Sequence, residues 1–207
     1  MEHLTTFPVT TALIAANLIA SVIAFNNRDF YGQNLFQVGA VLRDREYHRV
    51  ITSGFLHVNV LHLLLNMYVL YMFGRYLEAF YLGSTGYLLV YGAALIGASL
   101  WMLYDKRDTP SYSAVGASGA VSGILLAFCL FRPFDMLGLF FVIPMPAIVF
   151  AIGYIVLSAF LARRENVVIA HGAHLGGAIV GLAATLLVVP GSLGEFVAQM
   201  TAVLGGR

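Results

Sequence analysis

The sequence predicts an all-α, polytopic membrane protein, and three observations predict it. Of the 207 residues, 60% are hydrophobic and only 10% are charged, with a mean hydropathy of +0.86, far from the composition of water-soluble domains. The charges gather in clusters, and the clusters divide the chain into six apolar stretches. These stretches approach the about 20 residues that carry a helix across about 30 Å of hydrocarbon, where every backbone polar group must be paired internally. They fall at 8–25, 53–74, 84–104, 117–131, 145–162 and 170–189, and form one membrane domain over 1–207 with no second domain or repeat.

Composition also excludes function classes. A net charge of +1 without a Lys/Arg stripe gives no electrostatic footprint for nucleic acid. The single cysteine, Cys129, lies within an apolar run, so no intrachain disulfide forms and the thiol reads as a small buried hydrophobe.

The first stretch opens with Pro8, which a first helical turn accepts because its missing N–H would be unpaired there anyway. No Lys or Arg precedes it, so it reads as a retained span and not as a signal peptide. The following loop, 26–52, mixes the charged run Arg43-Asp44-Arg45-Glu46 with the apolar 35–42, and its length predicts an element folded at the interface. The second stretch carries His57, His62 and Asn66 and ends by Gly74, Arg75 and Glu78, with Glu78 expected to pair near the far interface. The third ends in the polar turn 105–110. The fourth has about 15 residues, or about 22 Å of helix, before Arg132-Pro133 stops it. It is too short to cross alone, so its first turn, with Ser118, starts below the near surface. Pro144 and Pro146 hold the backbone extended before the fifth stretch, and the sixth carries His171, His174 and several glycines. The 18 residues after Val189 carry no pattern that assigns them a structure.

Six antiparallel crossings place the entrances of stretches two, four and six on one side. His57, His62, Asn66, Ser118, His171 and His174 then share one depth, and polar groups at that depth are expensive and usually functional. Gly119 and Gly123 are four apart, as are Gly177 and Gly181, and such faces let helix backbones approach closely. That approach brings the Ser118 hydroxyl within reach of the His174 imidazole. A serine becomes a nucleophile when a base takes its proton, which a neutral imidazole does near pH 7. His62 and Asn66 lie on one face and can donate to an oxyanion together with the Ser118 N–H at a helix N-terminus. All ten acids lie in loops or at the ends of stretches, so the arrangement is a Ser-His dyad without a third member. His57 reads as structural, bonding a loop carbonyl, and His171 either as a group supporting the site residues or as one lining the cavity.

These residues resemble a known family. Gly116-Ala117-Ser118-Gly119 is similar to the GxSG motif of rhomboid intramembrane serine proteases, and Ala173-His174-Leu175-Gly176-Gly177 with Gly181 to the AHxxGxxxG span of that family. The stretch 49–57, continuing through His62, Asn66, Gly74 and Glu78, resembles its first-loop and second-span signature. The resemblance covers about Val38 to Val189 and implies the bacterial-type, minimal six-span rhomboid bundle with a submerged fourth helix. It implies cleavage of transmembrane-helix protein substrates within the lipid bilayer, without a cofactor or metal. Ser118 is then the nucleophile, His174 the base, and His62, Asn66 and the Ser118 amide the oxyanion hole, with the 163–170 loop as a cap. Gly116, Gly119, Gly123, Gly177 and Gly181 are structural.

The chain departs from the family pattern in four places. His48-Arg49 stands where Trp-Arg is usual, Ser53 where some members have histidine, and His171 at a position that varies. Ser122 stands one turn after the nucleophile, where many members place an aromatic on which the base stacks, so the His174 ring is expected to lack that support. Two rival functions use the same residues. A membrane metal- or haem-binding protein draws on His171 and His174, three apart as zinc ligands often are, but no cysteine or carboxylate joins them. A catalytically inactive rhomboid-like binder is opposed by the presence of both serine and histidine. Eight of the eleven Lys/Arg residues lie in loops 1, 3 and 5, which the positive-inside rule places in the cytoplasm. The resemblance implies the reverse, a bacterial inner membrane with the site opening to the extracytoplasmic side. We adopt the latter because those loops also carry six acids.

Overall fold

The computed structural model describes residues 6–139, 143–162 and 171–205. Helix α1 (Pro8–Asn26) begins at its proline. Its first amides find a partner far along the chain: the Glu78 carboxylate accepts from the Val9 N–H at 2.9 Å and from the Thr10 N–H and hydroxyl, each at 2.7 Å. The Ser84 hydroxyl donates to the same carboxylate at 2.7 Å. A carboxylate at a helix N-terminus satisfies orphan donors and faces the positive end of the macrodipole.

The 26–52 loop is folded. It contains α2 (Arg28–Asn34), capped by Asn27 accepting from the Phe30 N–H at 2.9 Å, then β1 (Phe36–Gln37), α3 (Val38–Leu42) and α4 (Arg49–Thr52). Strand β1 pairs antiparallel with β2 (Ser113–Ala114), setting Phe36 opposite Ala114 and Gln37 opposite Ser113. Phe36, Val38 and Val41 are buried with Ala98, Met102 and Ala173, so the loop sits on the ends of the membrane helices as a packed element. His48-Arg49, where the chain departs from the family pattern, anchors the loop. Arg49 donates to the carbonyls of Gly32 (2.7 Å) and Leu35 (2.8 Å) and pairs with Glu46, while a His48 ring nitrogen bonds the Gln33 carbonyl at 3.0 Å.

The second apolar stretch is shifted from its expected bounds. Its helix starts at Val60, not near 53, because Asn59 caps it by accepting from the His62 N–H at 2.8 Å, and Ser53–Phe55 forms a separate tight turn. From α5 (Val60–Val69) the path continues through wide π-type turns at Leu70–Gly74, α6 (Arg75–Leu77) and further π-type turns at Glu78–Leu82. The charges at 75 and 78 do not end it. Arg75 lies over the Tyr71 ring, 4.7 Å from its centroid, and Glu78 is taken up by α1. Gly83, with φ +62°, makes the break, a left-handed conformation that suits glycine. Helix α7 (Gly83–Asp105) then runs back alongside: Gly74 packs on Tyr87, Gly54 on Leu95, and the Ser99 hydroxyl donates to the Val50 carbonyl at 2.8 Å.

Helix α8 (Ser118–Phe131) has 14 residues, about 21 Å, and every residue from Gly119 to Phe131 is buried. Around it lie α7, the 60–82 path, α9 (Ala147–Ala162) and α10 (His171–Val188). An antiparallel pair, β3 (Met136–Leu139) with β4 (Ile143–Pro146), joins α8 to α9. The chain closes with α11 (Ser192–Leu204), an element the sequence pattern did not reveal. There Gln199 donates to the Phe131 carbonyl at 3.2 Å, meeting one of the open carbonyls at the end of α8.

Some polar side chains within the bundle bond the backbone of their own helix: Asn17 donates to the Leu13 carbonyl and Thr185 to that of Gly181, each at 2.8 Å. The outer surface is instead apolar, with Ile19, Leu64, Leu89 and Ile152 each more than half exposed. Helix α1, the 60–105 path and α10 are long and apolar enough to cross a membrane, at mean hydropathies of 1.9, 1.6 and 1.5. An apolar exterior around internally bonded helices is the form a bilayer selects, and this is an integral membrane protein.

Candidate active site

The segment before α8 fixes the start of the site. Gly116 has φ +129°, outside the range of L-residues, and its N–H donates to the Ser53 carbonyl at 3.0 Å. A Cβ at Gly116 would lie 2.8 Å from Cε1 and 3.2 Å from Nε2 of His62, so a side chain is excluded twice over. The chain then enters α8 with Ser118 as its first helical residue. The Ser118 N–H is therefore among the amides that a helix leaves without an internal partner.

His174 reaches Ser118 through the packing of α10 on α8. A Cβ on Gly177 would fall onto the Gly119 carbonyl oxygen, and one on Gly181 would come within 2.5 Å of the Gly123 Cα. The two backbones touch along this glycine seam, and Ala94 and Ala98 of α7 close its edge. One turn before Gly177, His174 projects toward α8, and its Nε2 lies 2.8 Å from the Ser118 Oγ. Both side chains are partly buried.

His62 lies against Gly116, and the Ser118 Oγ is also near that glycine, 3.7 Å from where its Cβ would stand. Its ring meets that of His57 at 69° and 5.0 Å between centroids. His57 is fully buried, but it does not bond a loop carbonyl directly. Its Nδ1 is 2.9 Å from the Ser21 hydroxyl, which lies 3.0 Å from the Phe55 carbonyl, so the contact ties α1 to the turn before α5. Asn66 is buried one turn after His62 and donates to the His62 carbonyl at 2.9 Å. That leaves its second N–H for another acceptor. His171 meets the His174 ring edge-on, at 84° and 5.7 Å. Among the described residues, no group of three His, Cys, Asp or Glu is placed to hold a metal ion. The 163–170 loop, expected to cap the site, lies outside the described residues.

Sequence reasoning missed Tyr154. Ser122 indeed brings no ring, but Tyr154 of α9 lies nearly parallel to the His174 imidazole, at 24° and 6.1 Å between centroids. Its hydroxyl bonds Ser122, whose own hydroxyl lies 2.6 Å from the Ser118 carbonyl oxygen. The only hint in the sequence was the spacing of Phe150 and Tyr154, which stack at 12° and 6.1 Å on one face of α9.

A cavity of about 780 Å³ runs from this cluster along α8. Ser118, Ser122 and Tyr154 line one end, and Arg75 and Asp135 line it elsewhere. Phe73 and Phe128, 4.9 Å apart between ring centroids, form part of its wall.

The model of the Rhomboid domain matches residues 44–191, most of the chain and all of the residues above that carry the site. The chain belongs to the rhomboid family. This rhomboid is 30% identical over 196 residues to RHOMBOID-like protein 12, mitochondrial, of Arabidopsis thaliana, an alignment covering 87% of the chain and 58% of that relative. It is 28% identical over 139 residues to presenilin-associated rhomboid-like protein A, mitochondrial, of Danio rerio, covering 64% and 35%. To Rhomboid-like protein 11, chloroplastic, of Arabidopsis thaliana it is 32% identical over 117 residues, covering 53% and 40%. The chain thus spans less than two thirds of the length of these relatives. Their names are organellar, and they give no support to the expected bacterial inner membrane.

Proposed function

We propose that this rhomboid is a serine endopeptidase that cuts transmembrane helices of membrane-protein substrates within the bilayer. One observation carries the reading: His174 Nε2 stands 2.8 Å from Ser118 Oγ at the start of a buried helix, beside a cavity. That distance is within reach for transfer of the serine proton to the imidazole.

The chemistry follows from the placement. As Ser118 Oγ bonds the substrate carbonyl carbon, its proton passes to His174 Nε2. The oxygen that gains negative charge is met by the Ser118 N–H, with the His62 Nε2–H and the second Asn66 N–H as further donors. The C–N bond then breaks, His174 returns the proton to the leaving amine, and the new N-terminal fragment remains esterified to Ser118. Water attacks the ester as His174 takes its proton, and the second fragment leaves as a carboxylic acid, regenerating the hydroxyl. A helix hides its carbonyls in internal hydrogen bonds, so the substrate must unwind at the cleaved bond. The cavity between the 60–82 path and α9 offers the space for its remaining helical part.

A fluorophosphonate probe is expected to label the purified protein in detergent, and Ser118→Ala to abolish both labelling and cleavage of a helical model substrate. His174→Ala should lower cleavage by about 10³-fold or more. Labelling that survives Ser118→Ala overturns the assignment.

A further inference from the structure

We infer that Tyr154 is a positioning residue for His174, supplying from α9 the ring that many members of the family place on α8. The inference rests on the proposed reading of Ser118 and His174 as nucleophile and base.

Three observations meet on this residue. First, Ser122 is buried one turn after Ser118 and is too small to reach the imidazole as a stacking partner. Second, the space above it is used by another side chain: the Tyr154 ring lies at 24° and 6.1 Å from that of His174, within the range of offset-stacked pairs. Third, the phenol is pinned at its tip. Ser122 has one hydroxyl hydrogen, and its short contact with the Ser118 carbonyl oxygen uses it, so Tyr154 is the donor in the Tyr154–Ser122 bond. The chain of bonds runs from Tyr154 through Ser122 to the carbonyl of the nucleophile's own residue. Phe150, stacked on Tyr154 at 12°, supports the ring from the preceding turn of α9.

The serine at 122 and the tyrosine at 154 are therefore one device. A serine at 154 would remove the ring beside His174, and a tyrosine at 122 would stand where many members of the family carry their aromatic. A dyad lacks the carboxylate that orients the imidazole in a triad, so ring packing has a larger share in holding His174 toward Ser118. This support comes from a helix other than the two that carry the reacting groups, so the orientation of the base depends on where α9 sits.

The test compares wild type with Tyr154→Phe, Tyr154→Leu and the exchange Ser122→Tyr/Tyr154→Ser, using cleavage kinetics on a helical model substrate, fluorophosphonate labelling rates and thermal unfolding. Tyr154→Leu should lower kcat and the labelling rate together by about tenfold, with KM changed less than about twofold. Tyr154→Phe, which keeps the ring and loses the hydroxyl bond, should lose about threefold. The exchange should return kcat to within about threefold of wild type. A second readout needs no activity: in histidine-labelled protein, the His174 ring resonances, assigned with His174→Gln, should move in Tyr154→Leu and stay near their place in Tyr154→Phe. Unchanged kcat and resonances in a folded Tyr154→Leu protein overturn the inference, as does a loss that falls on KM alone. Failure of the broader reading would look different, because Ser118→Ala would then retain labelling whatever stands at 154.

Discussion

Helix α8 has two unlike neighbours. Toward α10 it presents Gly119 and Gly123, which meet Gly177 and Gly181 with backbone against backbone, and no side chain separates the helices at these contacts. Toward the 60–82 path and α9 it faces a cavity of about 780 Å³. The glycine seam has one geometry available to it, whereas the walls of the cavity are large side chains with rotamers to change. The contrast divides the labour of the site. On the proposed reading, the nucleophile and base are held by the close-packed wall, and the substrate would meet the wall of side chains.

The seam can be broken with one side chain. In Gly177→Val, the new Cβ falls on the Gly119 carbonyl oxygen, so the helices must separate. Any separation draws His174 from the 2.8 Å contact with Ser118. Overpacking of this kind costs about 1–3 kcal/mol of stability. On the proposed reading the loss of cleavage should be far larger in proportion, about 10³-fold in kcat, because a displaced His174 would no longer accept the Ser118 proton. Unfolding midpoints and single-turnover cleavage measured on the same preparation separate the two effects, and a folded variant with near-normal kcat would show that the seam yields.

The opposite wall should respond in a different constant. Val69 lines the cavity on the 60–82 path, and Val69→Phe puts a ring into space reserved, on the proposed reading, for the substrate helix. KM is expected to rise about tenfold with kcat within about twofold, the pattern of lost ground-state binding. A fall in kcat instead would mean that this wall also holds the reacting groups.

The two walls were unequally legible in the sequence. Glycines spaced by one helical turn are a local signal, so the α8–α10 seam and the meeting of Ser118 with His174 could be read from spacing. Tyr154 could not, because its partners Ser122 and His174 lie on other helices and the pattern that placed an aromatic one turn after the serine pointed to a vacancy. Hydropathy likewise placed the start of the second helix too early. It registers the apolar residues before Asn59 but not the turn at Ser53–Phe55, whose Ser53 carbonyl is occupied by the Gly116 N–H. Helix α11 went unseen because the contact that seats it, Gln199 on the Phe131 carbonyl, joins distant parts of the chain. The folded first loop was expected from its length, but its pairing with Ser113–Ala114 was not, since two-residue strands leave no periodicity to read.

The 60–82 path, which forms one side of the cavity, is tied to α1 by Glu78. The carboxylate is 2% exposed and accepts two backbone N–H groups of α1 with the hydroxyls of Thr10 and Ser84. Glu78→Gln keeps the shape but removes the charge at the helix N-terminus and turns one acceptor into an N–H2 group that faces donors. The expected cost is about 1–2 kcal/mol of stability. Because the glycine seam is untouched, kcat should stay within about twofold of wild type while KM rises slightly as the path loosens. A drop in kcat comparable to that of Gly177→Val would mean that the position of α1 is transmitted to the reacting pair, and that the two walls are not separate.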